Sequence, residues 1–169
     1  MSWSGTNSHI FAQWVNNPLL GVTGASGAGL PTGYAGLVAD TVNLALYNNS
    51  ITPDQTVSVA NTAYNAGQWA NTNEVTSGTD WVAGGRAVPA TKSISVSTNV
   101  VTFKSTTNLS SVATATLSTY GALVYDNTIT GGTAAKQGVC FLDFGGVQTV
   151  TGGTFSLNWN ANGIFTITV

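Results

Sequence analysis

Acid–base and nucleophilic chemistry near neutral pH rests on histidines, thiolates and paired carboxylates, and this sequence holds few of them. Its one histidine is His9, its one cysteine is Cys140, and its acids are Asp40, Asp54, Glu74, Asp80, Asp126 and Asp143. A Ser-His-Asp or Cys-His device would have to be built on His9, which lies far from Cys140 in sequence and has no nucleophile-elbow signature around it. Cys140 sits between Val139 and Phe141, the setting of a small buried hydrophobe. The nearest cation in sequence, Lys136, belongs to another element, so nothing there favours a thiolate.

The acids are never closer than six residues in sequence, so only the fold could pair two of them across a cleft, as glycoside hydrolysis requires. Asp143 stands among apolar neighbours in Phe141-Leu142-Asp143-Phe144. It is expected either to face out from a sheet or to be buried and paired with Arg86 or a lysine, because buried charges are normally compensated. No cluster has zinc spacing, no calcium loop is present, and the glycines of residues 21–36 match no phosphate-binding loop. The reading is therefore of a protein that is not an enzyme, with no catalytic residue, no metal and no cofactor.

Five tryptophans, Trp3, Trp14, Trp69, Trp81 and Trp159, are many for 169 residues. Trp159 is in strand register with Phe155 and Leu157 and is expected in the core. Trp3 and Trp14, with Phe11, precede the regular strands and are the candidate partner-interface residues, since aromatic anchors dominate protein contacts.

Composition narrows the possibilities further. Charged residues make up 6% of the chain, against roughly 25% in an ordinary soluble domain. A surface so poor in charge belongs to proteins that are covered in assemblies or live outside the cell. The net charge of −2 argues against nucleic-acid binding. Arg86, Lys92, Lys104 and Lys136 are scattered singly rather than forming a basic stripe. There is no apolar run long enough to span a membrane as a helix, and the first residues have no signal-peptide pattern, so synthesis in a cytoplasm is expected.

The elements that would position these side chains are mostly strands. A short helix is expected over residues 8–15, capped by Ser8 and stopped by Pro18 and Gly21, and residues 21–36 read as a glycine-rich arm. Val42, Leu44 and Leu46 alternate with Asn43, Ala45 and Tyr47, the pattern of a half-buried strand. Thr52-Pro53-Asp54-Gln55 has the form of a helix start, leading into short helical turns over 56–74 with Tyr64 and Trp69 as anchors. Residues 93–97 and 100–104 form a hairpin about Thr98-Asn99. Residues 120–125 and 139–144 are apolar strands, the second ended by Gly145-Gly146. A final hairpin joins 154–159 to 164–169 through Asn160-Ala161-Asn162-Gly163. Short strands at regular spacing predict a mainly β protein, an antiparallel β-sandwich or barrel over residues 37–169, preceded by a helix and arm over 1–36.

Several phrases carry a resemblance. They are Val42-Asn43-Leu44-Ala45-Leu46-Tyr47-Asn48, Asn65-Ala66-Gly67-Gln68-Trp69 with Asn73-Glu74-Val75, and Trp81-Val82-Ala83-Gly84-Gly85-Arg86-Ala87. Ala122-Leu123-Val124-Tyr125-Asp126, Phe141-Leu142-Asp143-Phe144-Gly145-Gly146 and the ending from Gly153-Thr154-Phe155 to Asn162-Gly163-Ile164-Phe165 follow in order. The chain in this way resembles a family of small tailed-bacteriophage virion structural proteins, from which it departs in its glycine-rich arm and low charge. The resemblance implies a location in the virion and brings no catalytic residues. It points first to a capsid decoration, or cement, protein bound to the major capsid protein and to copies of itself, with trimers suited to threefold positions. A tail, collar or fibre component is the alternative within the virion. A carbohydrate-binding or adhesin module is the alternative outside that class, and would need a groove of exposed aromatics with Asn or Asp beside them.

Overall fold

A computed structural model describes residues 9–10, 37–38 and 40–168, apart from 79, 99, 112, 113 and 133. Its framework is a six-stranded antiparallel sheet built from β1 (His9–Ile10), β2 (Val42–Tyr47), β3 (Glu74–Val75), β4 (Arg86–Ala87), β8 (Ala115–Asp126) and β9 (Gly138–Gly153). The path runs β1-β9-β8-β2-β3, with β4 also pairing β2. Beside it lie a three-stranded sheet, in which β6 (Val100–Ser105) is flanked by β5 (Lys92–Ser97) and β11 (Phe165–Thr168), and a pair formed by β7 (Leu109–Ser110) and β10 (Ser156–Leu157). The protein is mainly β with antiparallel sheets, as its alternating pattern requires.

β2 is covered on both faces rather than one. Val42, Leu44 and Leu46 pack with Trp81, Val88, Val124, Cys140 and residues of the smaller sheets, among them Phe103, Leu109 and Leu157. Ala45 and Tyr47 pack the other way, with Ile51, Trp69, Leu123, Tyr125 and Phe141. The second cover comes from the connection over residues 51–73, which forms three short 3-10 helices, Val59–Thr62, Gly67–Trp69 and Asn71–Asn73. Few of its side chains are large and apolar, so its covering role is hidden in composition and rests on Ile51 and Trp69. Tyr47 fixes Trp69 twice, by an edge-to-face ring contact at 5.1 Å and by donating its hydroxyl to the Trp69 carbonyl at 2.8 Å. Thr52-Pro53-Asp54-Gln55 does not open a helix: Asp54 Oδ1 accepts from the Thr56 backbone N–H and hydroxyl, closing a turn, and helical geometry begins at Val59.

The segment Trp81-Val82-Ala83-Gly84-Gly85-Arg86-Ala87 is shaped by its approach to β2. Gly85 has φ +66°, and a Cβ there would lie 2.0 Å from the Leu44 carbonyl oxygen, so only glycine fits. Glu74 holds the neighbouring turn, Oε1 accepting from Gly84 N–H at 2.9 Å and Oε2 from the Tyr64 hydroxyl at 2.7 Å. Tyr125 donates to the Gly84 carbonyl at 2.7 Å and stacks on Tyr64 at 4.9 Å. Burial raises the pKa of Glu74 even though these hydrogen bonds favour its charged form. The cluster is a fully engaged structural lock.

Three further expectations change. Within the predicted N-terminal helix, His9–Ile10 is a strand that extends the sheet edge, with His9 opposite Phe141 and Ile10 opposite Cys140. An isolated short helix is marginal, whereas an open sheet edge supplies ready backbone partners. Residues 11–36, including the rest of that helix and the arm, lie outside the described residues. Gly145-Gly146 does not end a strand but bulges it: Asp143 pairs Gly121 and Gln148 pairs Thr119, so 144–147 stand opposite Tyr120 alone. The two halves of the final hairpin do not pair with each other, since β10 joins β7 and β11 joins β6. The turn between them is real, but Gly163 lies against β6, where a Cβ would come within 2.6 Å of the Phe103 carbonyl oxygen.

Candidate functional site

The β9 bulge and the turn before β11 face each other across a cleft of about 530 Å³. One wall is Leu142, Asp143, Phe144 and Gln148; the other is the chain from Phe155 to Asn160, with Gly163 and Ile164. Bulges re-aim side chains, and this one is held by its own members. Asp143 Oδ1 accepts from Gly145 N–H at 2.8 Å, and Gly145 and Gly146 both take positive φ, at +72° and +145°.

The opposite wall is equally fixed. Asn108 Oδ1 accepts the Trp159 backbone N–H at 3.1 Å, and the Trp159 indole N–H donates to the Thr107 carbonyl at 3.0 Å. Phe155 packs edge-to-face on buried Trp81 at 5.6 Å, and the Arg86 guanidinium lies 5.4 Å from the centre of the Trp81 ring. Asn160 Oδ1 accepts from Asn162 N–H at 2.8 Å, closing the turn. Trp159, placed in the core by strand register, is half-buried and lines the cleft, because the strand ends at Leu157.

Asp143 is the cleft's lone carboxylate among its described lining residues. A glycosidase pair therefore has no second acid at this position. Asp143 is half-buried beside its bulge, neither fully exposed nor enclosed in the core.

The fold does bring two acids together elsewhere. Asp40 and Asp126, both nearly fully buried, come together where the chain enters β2 and leaves β8, and Asp40 Oδ2 has no hydrogen-bond partner among the described residues. Thr128 N–H donates to Asp126 Oδ1 at 2.9 Å, and Thr41 N–H donates to the Thr128 hydroxyl at 2.8 Å, sealing the joint. Burial, and then the charge of Asp40, push the Asp126 carboxyl up to about 6. Sealed from solvent, the pair cannot flank a substrate.

Cys140 is buried, and burial alone raises its thiol pKa well above the ordinary range, as an inert core cysteine should behave. Trp3, Phe11 and Trp14, the residues expected to grip a partner, lie outside the described residues. Sequence reasoning missed Phe144, Gln148, Phe155 and Asn158 as cleft residues. The available signal was the glycine pair inside an apolar strand, which marks a bulge more often than an end. Among the described residues no group of three or more His, Cys, Asp or Glu could hold a metal ion, and no helix is long and apolar enough to cross a membrane.

Comparison with protein-family models, curated proteins and solved structures finds no match to this chain.

Proposed function

We propose that the protein is a bacteriophage virion structural protein, and specifically a decoration protein that binds the outside of the head shell without catalysing a reaction. The observation that carries this reading is the three-stranded sheet β5–β6–β11. Pairing puts Ile94, Phe103 and Phe165 on one face together with Val101 and Ile167. Phe103 is buried against the core, but Ile94, further out on the same face, is 50% exposed. The opposite face carries Ser93, Ser95, Thr102, Lys104 and Thr166. An apolar face left half-open, in a chain with so few charges to keep partners away, suits a surface that is covered in an assembly.

The partner is the major capsid protein, with copies of this chain beside it. The mechanism is physical: apolar burial at each contact, repeated around the shell, ties neighbouring capsomers and resists internal pressure through many weak bonds acting together. Trp3, Phe11 and Trp14 are proposed as further aromatic anchors for the partner. The test is to mix purified protein with shells of the same virus that lack it and sediment the particles. Saturable binding at a fixed ratio to shell subunits, weakened by Ile94→Lys, supports the proposal. Failure to sediment with shells, alongside binding to tails or fibres, would move the protein to that part of the virion.

A further inference from the structure

The cleft between the β9 bulge and the 155–164 segment has no part in the shell contact proposed above. Its volume of about 530 Å³ falls within the roughly 300–1,000 Å³ range of small-molecule sites. Its walls combine half-buried rings, Phe144, Phe155 and Trp159, with the polar side chains of Asp143, Gln148 and Asn158 at its rim. Trp159 is pre-set, since its indole N–H and backbone N–H are both engaged by the 107–108 loop. Phe155 is likewise braced by Trp81. Rigid rings lose little freedom when a ligand stacks on them, which lowers the cost of binding.

The chemistry of the walls selects the ligand class. Among the described lining residues there is no Lys or Arg, and the one charged side chain is a carboxylate, so phosphates, nucleotides and acidic sugars are disfavoured. An apolar ligand would strip water from the exposed Gln148 and Asn158 side chains without offering them a hydrogen bond in return. A molecule with apolar C–H faces and many hydroxyls satisfies both kinds of wall at once. We infer that this cleft binds a neutral oligosaccharide, with Trp159 and Phe144 packing on sugar rings and Asp143, Gln148 and Asn158 hydrogen-bonding hydroxyls. On a particle bearing many copies, weak single sites would add up to firm attachment to a glycan-coated surface.

The test uses the full-length protein on a printed array of neutral and acidic oligosaccharides, followed by calorimetric titration with the best neutral binder. Binding should be saturable, lost in Trp159→Ala and weakened at least fivefold in Asn158→Ala and Asp143→Asn. Asn158 is exposed, and the side-chain amide introduced by Asp143→Asn can still accept the Gly145 N–H, so these two variants fold even if Trp159→Ala does not. No neutral glycan bound at millimolar concentration would overturn the inference, as would a preference for acidic glycans. Affinity unchanged in both polar variants would overturn it too. The experiment needs no virion, so its failure leaves the shell-binding proposal standing.

Discussion

Replacing Asp126 by Asn should make the protein more stable at neutral pH, although it removes a buried hydrogen-bonded acid. Asp126 is 3% exposed, lies against the buried Asp40, and has its pKa pushed from 3.8 to about 6 by burial and by the Asp40 charge. A carboxyl whose folded pKa is raised favours folding below its unfolded pKa and loses that contribution as pH rises through the folded value. Each tenfold change in proton affinity is worth about 1.4 kcal/mol, so the full rise corresponds to about 3 kcal/mol. An Asn amide resembles the protonated acid: its oxygen can accept the Thr128 N–H and its nitrogen can donate to Asp40. The advantage of Asp126→Asn should then grow from about 1 kcal/mol at pH 4.5 to about 3 kcal/mol at pH 7.5. Urea unfolding followed by tryptophan fluorescence reads this directly, with Trp69 and Trp81 buried in the native state. Taking the difference between variants at each pH cancels the titration of groups outside the Asp40–Asp126 pair. Parallel stability curves for the two proteins, or an Asn variant weaker at pH 7.5, would mean that the Asp126 carboxyl is not raised by its burial beside Asp40.

Gly85→Ala should destabilise the fold by more than about 3 kcal/mol, since the new Cβ meets the Leu44 carbonyl oxygen at 2.0 Å and φ is +66°; soluble yield and melting temperature will show it. Thr119→Val should cost about 1–3 kcal/mol in urea unfolding, because the single proton of the buried Thr119 hydroxyl is shared between the Tyr47 and Gly121 carbonyls. Cys140 should react with a thiol reagent only at the rate of unfolding, so labelling in native buffer and in denaturant should differ by orders of magnitude. Ile94→Ser should leave stability within about 0.5 kcal/mol of the parent while reducing shell binding, since Ile94 is half exposed.

The strands were the legible part of the sequence, because period-two alternation in β2, β5 and β6 follows directly from side chains facing opposite sides of a sheet. Legibility fell where a tertiary contact overrode the local pattern. Tyr47 reads as a solvent-facing partner of Leu46, yet it is buried because a polar connection brings Trp69 over it. Gly145 and Gly146 read as a stop, and only the pairing of β8 with β9 reveals a bulge. The last two strands read as a hairpin, and their true partners, β6 and β7, lie tens of residues back in the chain. The cleft was invisible for the same reason: its two walls meet only once the bulge and the Gly163 turn are in place. Asp40 and Asp126, 86 residues apart by number, likewise meet only through the β2–β8 pairing.

If this chain coats a viral head, as proposed, the number of copies per particle will show it. Quantitative mass spectrometry of purified virions, referenced to the major capsid protein, should return hundreds of copies in a fixed ratio to the shell subunit. A dozen copies or fewer would place the protein at a vertex or in the tail and contradict the decoration role. Absence from the particle would contradict the virion assignment as a whole.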